Sequence, residues 1–428
     1  MAKNIPTSTF SRGSKLLGLA GKVALEGIGS KIKAWESDAQ KLKSKIELAQ
    51  QVVKTLSDLK GASMKVGQLL SLDLGEYLPP EVVKVIENLH HKASFMDFKD
   101  VQKILKAELG DKLKDFSEIQ ETPLAAASIG QVHRAKLHGK EVVIKVQYLG
   151  VSESIPSDLK LLKNIVSKIN FFRGTDVDFT AFFQELEVVL QNEANYLHEL
   201  KMQKRYSESF KNSDYIIPTA YEDYTTRTVI TQEFIQGETF SQWLQSHQDE
   251  KLRYKFSDLM MRLYLEEFFS HGLVQTDPNP GNFIITPDNR LALLDFGAVK
   301  EYPREFIEGY RQVLIASLKG NSEAVLKLSE DLKFIDPRED QEVRSLYLKM
   351  IDMLIDPFRG EKPFDFRDKG FLEESRKLSW EMTQKCKYSP PPKDLLFLHR
   401  KLVGVFLFIK KLDTQLVLKN YWNYVEKP

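Results

Sequence analysis

A chain of 428 residues has room for one large two-lobed unit or for two to three ordinary domains, since single cores stop growing at about 250 to 300 residues. With 42% hydrophobic and 28% charged residues the polypeptide is globular, not disordered or fibrous. The 61 basic against 60 acidic residues leave no whole-molecule field to draw in nucleic acid.

No stretch reaches the ~20 apolar residues that a spanning helix needs; the longest, residues 402–409, gives way to Lys410 and Lys411 and reads as a buried helix. The start lacks a secretory h-region. It also lacks acids before Glu26 and carries Lys3, Arg12, Lys15 and Lys22 among Ser and Thr, a transit-peptide composition, although patterned sequence begins almost at once. Cytoplasm, a membrane periphery and an organellar matrix all stay open. Cys386 is the only cysteine, which excludes an intrachain disulfide and points to a reducing compartment. Its thiol reads as a small buried or half-buried hydrophobe.

Residues 11–110 are helical in pattern, with Leu16, Leu19, Ala20, Val23 and again Ile46, Val53, Leu56 at helical spacing. Lys15, Lys22, Lys31 and Lys33 accompany this apolar stripe. The combination suits an anionic lipid surface or a docking helix against the rest of the chain or a second copy of it. From Thr122 the period changes: Val132, Ala135, Val142, Val143, Ile144 and Val146 form two β-prone runs around His138, Gly139 and Lys140, a predicted hairpin. One long helix is predicted over 178–210, then a strand pair at 216–219 and 227–234 ending at Gly237. The remainder is predicted mostly helical, interrupted by one β element at 283–285 and 291–294 around Pro287, Asp288 and Asn289. His90 and His91, being adjacent, point to different faces of a helix and make a poor metal pair.

Phosphoryl transfer from ATP asks little covalent chemistry of a protein; it needs a lysine on the phosphates, oxygen ligands for Mg²⁺ and a positioned base. Lys145 ends an apolar strand, VVIKVQ, whose neighbours Ile144 and Val146 face the other side of the sheet. A carboxylate that fixes such an ammonium is available in Glu193, on the helix that follows, and Glu187, six residues or close to two turns earlier, is expected to face the same cleft. Asp277 and Asn282 have the spacing of the D-x-x-x-x-N catalytic loop. Asp295 follows thirteen residues after Asn282, in Leu293-Leu294-Asp295-Phe296-Gly297 across the predicted hairpin. Singly, each would read as a surface charge or a turn aspartate; the ordered set is what carries the assignment. It predicts an α+β, bilobal protein-kinase-like fold, with a helical extension at 1–120, an N-lobe at 121–237 and a C-lobe at 238–428. In place of a glycine-rich phosphate loop the chain has Ala125, Ala126, Ala127 and Ser128. Alanine permits close approach but lacks the positive φ that glycine supplies, so this loop is stiffer. Glu233 opens the hinge-like segment to Gly237, where a nucleotide would contact the chain.

A further motif, Lys65-Val66-Gly67-Gln68, gains meaning beside these. KxGQ, AAAS, IKVQYLGV, NEANY, QTDPNPGN and LLDFGAVKEYPREF together resemble the UbiB family of atypical kinase-like proteins, and QTDPN resembles its coenzyme Q biosynthesis branch. The similarity runs from about Leu16 to LHRKLVGVFLFIKKL, nearly the whole chain. It implies that Lys65 and Gln68 lie on an extension folded over the cleft, that residues 125–128 set nucleotide preference, and that Glu187 is the first acid of an ExD motif. The second acid of that motif falls on Val189, a departure from the family pattern. The resemblance further implies an Mg-ATP-dependent ATPase or phosphotransferase supporting isoprenoid quinone synthesis at a membrane, with quinone-pathway enzymes or a second subunit as partners. A protein kinase acting in trans and a nucleotide-gated scaffold are the alternatives. Against the kinase stand the KxGQ extension, the alanine loop and the lack of an A-P-E segment after DFG.

Overall fold

The computed structural model describes residues 95–173, 180–211, 214–247, 249–277, 279–389 and 393–426. Lys65, Gln68 and the two adjacent histidines lie outside the described residues. The described chain has two compact units, one running to Leu197 and resuming over Tyr221–Gln232, the other made of His198–Ala220 and everything from Glu233 onward.

The first unit begins with α1 (Phe98–Leu109), whose N-cap Asp97 accepts a hydrogen bond from the Lys99 amide at 2.9 Å. Its Val101, Ile104, Leu105 and Leu109 recur at helical spacing and bury against a sheet. That sheet contains β1 (Phe116–Ser117), β2 (Ala125–Ala126), β3 (Gly130–Leu137), β4 (Lys140–Gln147) and, after an excursion carrying β5 (Tyr215–Ile216), β6 (Val229–Glu233), in the order β1-β3-β4-β6 with β2 on β3. The predicted hairpin is β3–β4, with Leu137 opposite Lys140. Its two-residue loop has φ of 48° at His138 and 78° at Gly139, the left-handed pair that matches strand twist. His138 bears that conformation while its Nε2 lies 2.9 Å from the Tyr224 hydroxyl.

After α2 (Val151–Arg173) the chain forms α3 (Thr180–Glu193) and α4 (Tyr196–Ser209) where a single helix is predicted. The break is local. Asn195 N–H bonds back to Asn192 O at 3.1 Å, and the Tyr196 N–H goes instead to the Arg227 carbonyl at 3.0 Å. A sheet-side carbonyl has thus outcompeted the helical partner. The predicted pairing of 216–219 with 227–234 is met at one end, where the Glu233 N–H bonds to Thr219 O at 2.8 Å and the Tyr221 N–H to Thr231 O at 2.9 Å; β6 also borders β4, while β5 pairs in parallel with another strand, described below. Pro218, which has no N–H to give a ladder, stands where β5 would have to continue.

The second unit holds three small sheets where one β element is predicted. β7 (Glu238–Thr239), β9 (Phe283–Ile285) and β10 (Leu291–Leu293) join β5 in the order β5-β10-β9-β7. β8 (Leu273–Gln275) pairs antiparallel with β11 (Val299–Glu301), and β12 (Phe364–Asp365) with β13 (Gln415–Leu416). Around them pack α5 (Phe240–Ser246), α6 (Glu250–Leu265), α7 (Arg304–Leu318), α8 (Ser322–Asp331), α9 (Gln341–Arg359), α10 (Lys369–Lys385), α11 (Lys393–Leu412) and α12 (Trp422–Glu426). α6 runs on into a π-helical turn, Glu266–His271, stopped by Gly272 at φ 65°. The expected buried helix at 402–409 lies within α11. It buries Val405, Phe408 and Ile409 but leaves Val403 and Leu407 exposed. Cys386 is half-buried, and burial pushes its thiol up to about 12, which leaves it unreactive. Among the described residues no helix is long and apolar enough to cross a membrane.

Candidate active site

Two groups of chemistry-bearing side chains stand out, one in each unit. In the first, Lys145 sits on β4 opposite Val132 and is buried at 7% exposure, its ammonium 5.0 Å from the centre of the Tyr196 ring. Glu193, the last residue of α3, is 1% exposed. A buried lysine and a buried glutamate in one unit are expensive residues to keep unless chemistry needs them. Glu187 is half-buried on the same helix. Its six-residue interval from Glu193 corresponds to about 120° around the axis, so the two acids do not share a face. Val189, where the family's second acid would stand, is buried beside Leu186 and Leu190.

The alanine loop is a real hairpin. Ala125 pairs with Val132 and Ala126 with Gln131, and the turn closes through Ala127 N–H to Gly130 O at 2.9 Å, around Ser128. Both strand alanines are exposed. Glu233 ends β6, and its Oε2 accepts from the Thr219 N–H at 3.1 Å.

In the second unit the D-x-x-x-x-N segment closes on itself. Asn282 Nδ2 donates to Asp277 Oδ2 at 3.2 Å, and Asp277 Oδ1 accepts from the Asn279 N–H at 3.3 Å. Asn279 in turn accepts from the Gly281 N–H at 2.9 Å and caps the short 3₁₀ turn Pro280–Asn282. The following hairpin sets the register of the next acid. Phe283 lies opposite Leu293, and the Leu294 N–H bonds to Asn282 O at 3.0 Å, so Asn282 and Asp295 emerge at the same open end. Asp295 Oδ1 accepts from the Gly297 N–H at 3.0 Å, and Phe296, fully buried, packs edge-on against Tyr206 at 5.1 Å.

With Nδ2 turned to Asp277, the Asn282 side chain offers a hard oxygen for a cation, as does the Asp295 carboxylate. No three His, Cys, Asp or Glu side chains cluster as a metal cage among the described residues. Such a sparse, all-oxygen set fits Mg²⁺, which takes one or two protein ligands and completes its shell with phosphate and water.

The ABC1 atypical kinase-like domain matches residues 88–329, more than half of the chain. The chain belongs to that family. It is 33% identical over 376 residues to the zebrafish (Danio rerio) atypical kinase COQ8B, mitochondrial, with 87% of this chain and 60% of that protein aligned. It is 31% identical over 422 residues to the Saccharomyces cerevisiae atypical kinase COQ8, mitochondrial, covering 96% of this chain and 83% of the relative. A Mycobacterium tuberculosis protein, Rv3197, solved in complex with erythromycin, superposes with a TM-score of 0.59 at 26% identity, over 91% of this chain and 98% of that one. An ABC1-family chain is thus a kinase-like α+β protein, as the ordered motifs predict.

Sequence reasoning missed several residues that hold these two groups of side chains in place, each within its own unit. A Cβ on Gly130 would stand 2.4 Å from Val146 O and 2.9 Å from the Tyr196 hydroxyl, so only glycine lets β3 lie this close to the strand that carries Lys145. A glycine as the first residue of an alternating strand was a visible signal. Glu267, Gln275, Lys401 and Arg400, all buried and joined by hydrogen bonds to each other or to Thr276, had none.

Proposed function

We propose that this ABC1-family protein binds Mg-ATP and consumes it in support of isoprenoid quinone (ubiquinone) synthesis at a membrane surface. The reading is supported above all by the closed Asp277–Asn282 loop, held in hairpin register with Asp295. Lys145 would hold the phosphates and Glu193 would fix its ammonium. Ala125, Ala126, Ala127 and Ser128 would cover the phosphates, with the chain at Glu233 beside the base. Asn282 and Asp295 would hold the metal, which when bound supplies charge neutralisation on the β- and γ-phosphates. Asp277 would orient and deprotonate the attacking water or hydroxyl. Lys65, Gln68 and Glu187 would regulate access. The mitochondrial COQ8 relatives support an organellar matrix setting and a quinone-pathway context, with anionic lipid, pathway enzymes or a second copy of the chain as partners.

The test is phosphate release from Mg-ATP by the purified chain on anionic liposomes, beside an Asp295→Asn control. Release that exceeds the control supports the ATPase. Equal rates refute it. Ala126→Gly should shift the balance between ATP and ADP affinity, and identical affinities would remove the loop's assigned role. A protein kinase acting in trans is the second reading, favoured by one 30% identical relative named as a probable serine/threonine-protein kinase, abkA of Dictyostelium discoideum. Labelled phosphate appearing on a protein in trans, and lost in Asp277→Asn, would promote it.

A further inference from the structure

We infer that Arg400 is a positioning residue for Asp277, acting from α11 through the peptide that joins Thr276 to Asp277. Both Arg400 and its neighbour Lys401 lie beyond residues 88–329, the part of the chain that the family domain matches.

Thr276 is the last residue before Asp277, and all its polar groups are engaged. Its N–H and its hydroxyl both go to Ala298 O, at 3.0 and 2.8 Å. Its carbonyl accepts from Arg400 Nε at 3.0 Å, while Arg400 Nη2 donates to the same residue's Oγ1 at 3.2 Å. The planar guanidinium therefore grips one residue at two points, and Arg400 is only 5% exposed. Phe397, one turn earlier on α11, lies beneath the guanidinium at 4.6 Å and limits its rotation.

The carbonyl of Thr276 and the N–H of Asp277 belong to one rigid peptide plane. Fixing that carbonyl fixes the plane from which the Asp277 side chain swings. The grip extends on both sides. Lys401 Nζ reaches Gln275 Oε1 at 3.3 Å, one residue before Thr276. On the partner strand Lys300 pairs with Asp394 at 3.2 Å, and the Tyr302 hydroxyl donates to Asp394 O at 3.0 Å. The first half of α11 thus holds both the strand that leads into Asp277 and the strand that leaves the Asp295 segment. A purely apolar contact would satisfy packing equally well. A bidentate cation adds direction at the residue next to the proposed base.

This inference rests on the base role proposed for Asp277, so its test carries a readout that needs no turnover. Arg400→Met, Arg400→Lys and Thr276→Val are compared with wild type for kcat, Mg-ATP affinity and amide hydrogen exchange across residues 273–283. A displacement of the base by about 1 Å costs on the order of 100-fold in rate. The expectation for Arg400→Met is a kcat 10- to 100-fold lower, within the range of about that figure. Mg-ATP affinity should stay within about threefold, and exchange should be faster in 273–283 but not elsewhere. Arg400→Lys, which keeps one donor to the carbonyl, should recover part of the rate. Thr276→Val should move the same readouts less far, and it carries the test if Arg400→Met does not fold. If wild type itself shows no turnover, the ATPase reading fails. Faster local exchange in Arg400→Met then still supports the clamp, and unchanged exchange overturns it. Unchanged rate and exchange, or parallel loss of rate, affinity and exchange protection over the whole chain, would also overturn it.

Discussion

Replacing Lys401 by Met would withdraw an ammonium from Glu267 while keeping most of the aliphatic bulk. Lys401 Nζ lies 3.0 Å from Glu267 Oε2, with the two side chains 2% and 0% exposed. Burial pushes the Glu267 carboxyl up to about 7, and the ammonium opposes the rise. In the unfolded chain the same carboxyl ionises near 4.5. Between those values the folded state holds a proton that the unfolded state has released, so stability falls as pH rises through the window. Without Lys401 the folded value moves higher still and the window widens upward. Below about pH 7 both proteins can keep the carboxyl neutral, and a volume-conserving swap should cost under about 1.5 kcal/mol. Above it the variant should lose about 1.4 kcal/mol more per pH unit, up to the 3–5 kcal/mol, roughly, of a broken buried pair. Denaturant unfolding followed by circular dichroism from pH 6 to 9 measures this directly. Glu267→Gln combined with Lys401→Met should remove the pH dependence. A loss of equal size at pH 6 and pH 9, or a double variant as unstable as Lys401→Met at pH 9, would refute the reasoning.

Gly130→Ala drives a Cβ onto the Val146 carbonyl. It should cost about 1–3 kcal/mol and weaken Mg-ATP affinity through the displaced Lys145 strand. Calorimetric binding at unchanged affinity would count against that close approach. His399, half-buried with its Nε2 3.3 Å from the Tyr310 hydroxyl, has its imidazole pushed down to about 4 by burial. The unfolded chain takes up this proton near 6.5 and the folded one only near 4. The contribution of His399 to stability should therefore be complete above pH 6.5 and fall by at most about 3 kcal/mol on acidification to pH 4, opposite in sign to that of Glu267. His399→Gln should flatten that acid limb, and unfolding curves that stay parallel to wild type would contradict the assignment.

The residues differ in how plainly the sequence announced them. The β3–β4 hairpin could be read because alternation and a His-Gly turn are local signals, and the Asp277, Asn282 and Asp295 set because its spacing is fixed by one loop and one hairpin. The break between α3 and α4 was hidden, since it depends on a carbonyl at Arg227 that is distant in sequence. The run at 216–219 looked like a partner of β6 because adjacent β-prone runs usually pair; the chain at 219–221 does bond to β6, but before Pro218 the parallel edge of β10 takes β5 instead. The Glu267–Lys401 pair joins residues 134 apart, and each charge alone was indistinguishable from the many exposed ones. The Arg400 contact to Thr276 spans 124 residues in the same way.

The most direct measurement of the central claim is calorimetric titration of ATP into the purified chain, with and without Mg²⁺, for wild type, Lys145→Ala and Asp295→Asn. Wild type should bind ATP in a Mg²⁺-dependent manner. Lys145→Ala should weaken the binding with Mg²⁺ present, and Asp295→Asn should lose the dependence on Mg²⁺. Titrations that are the same for all three proteins would contradict the assignment of these side chains to Mg-ATP.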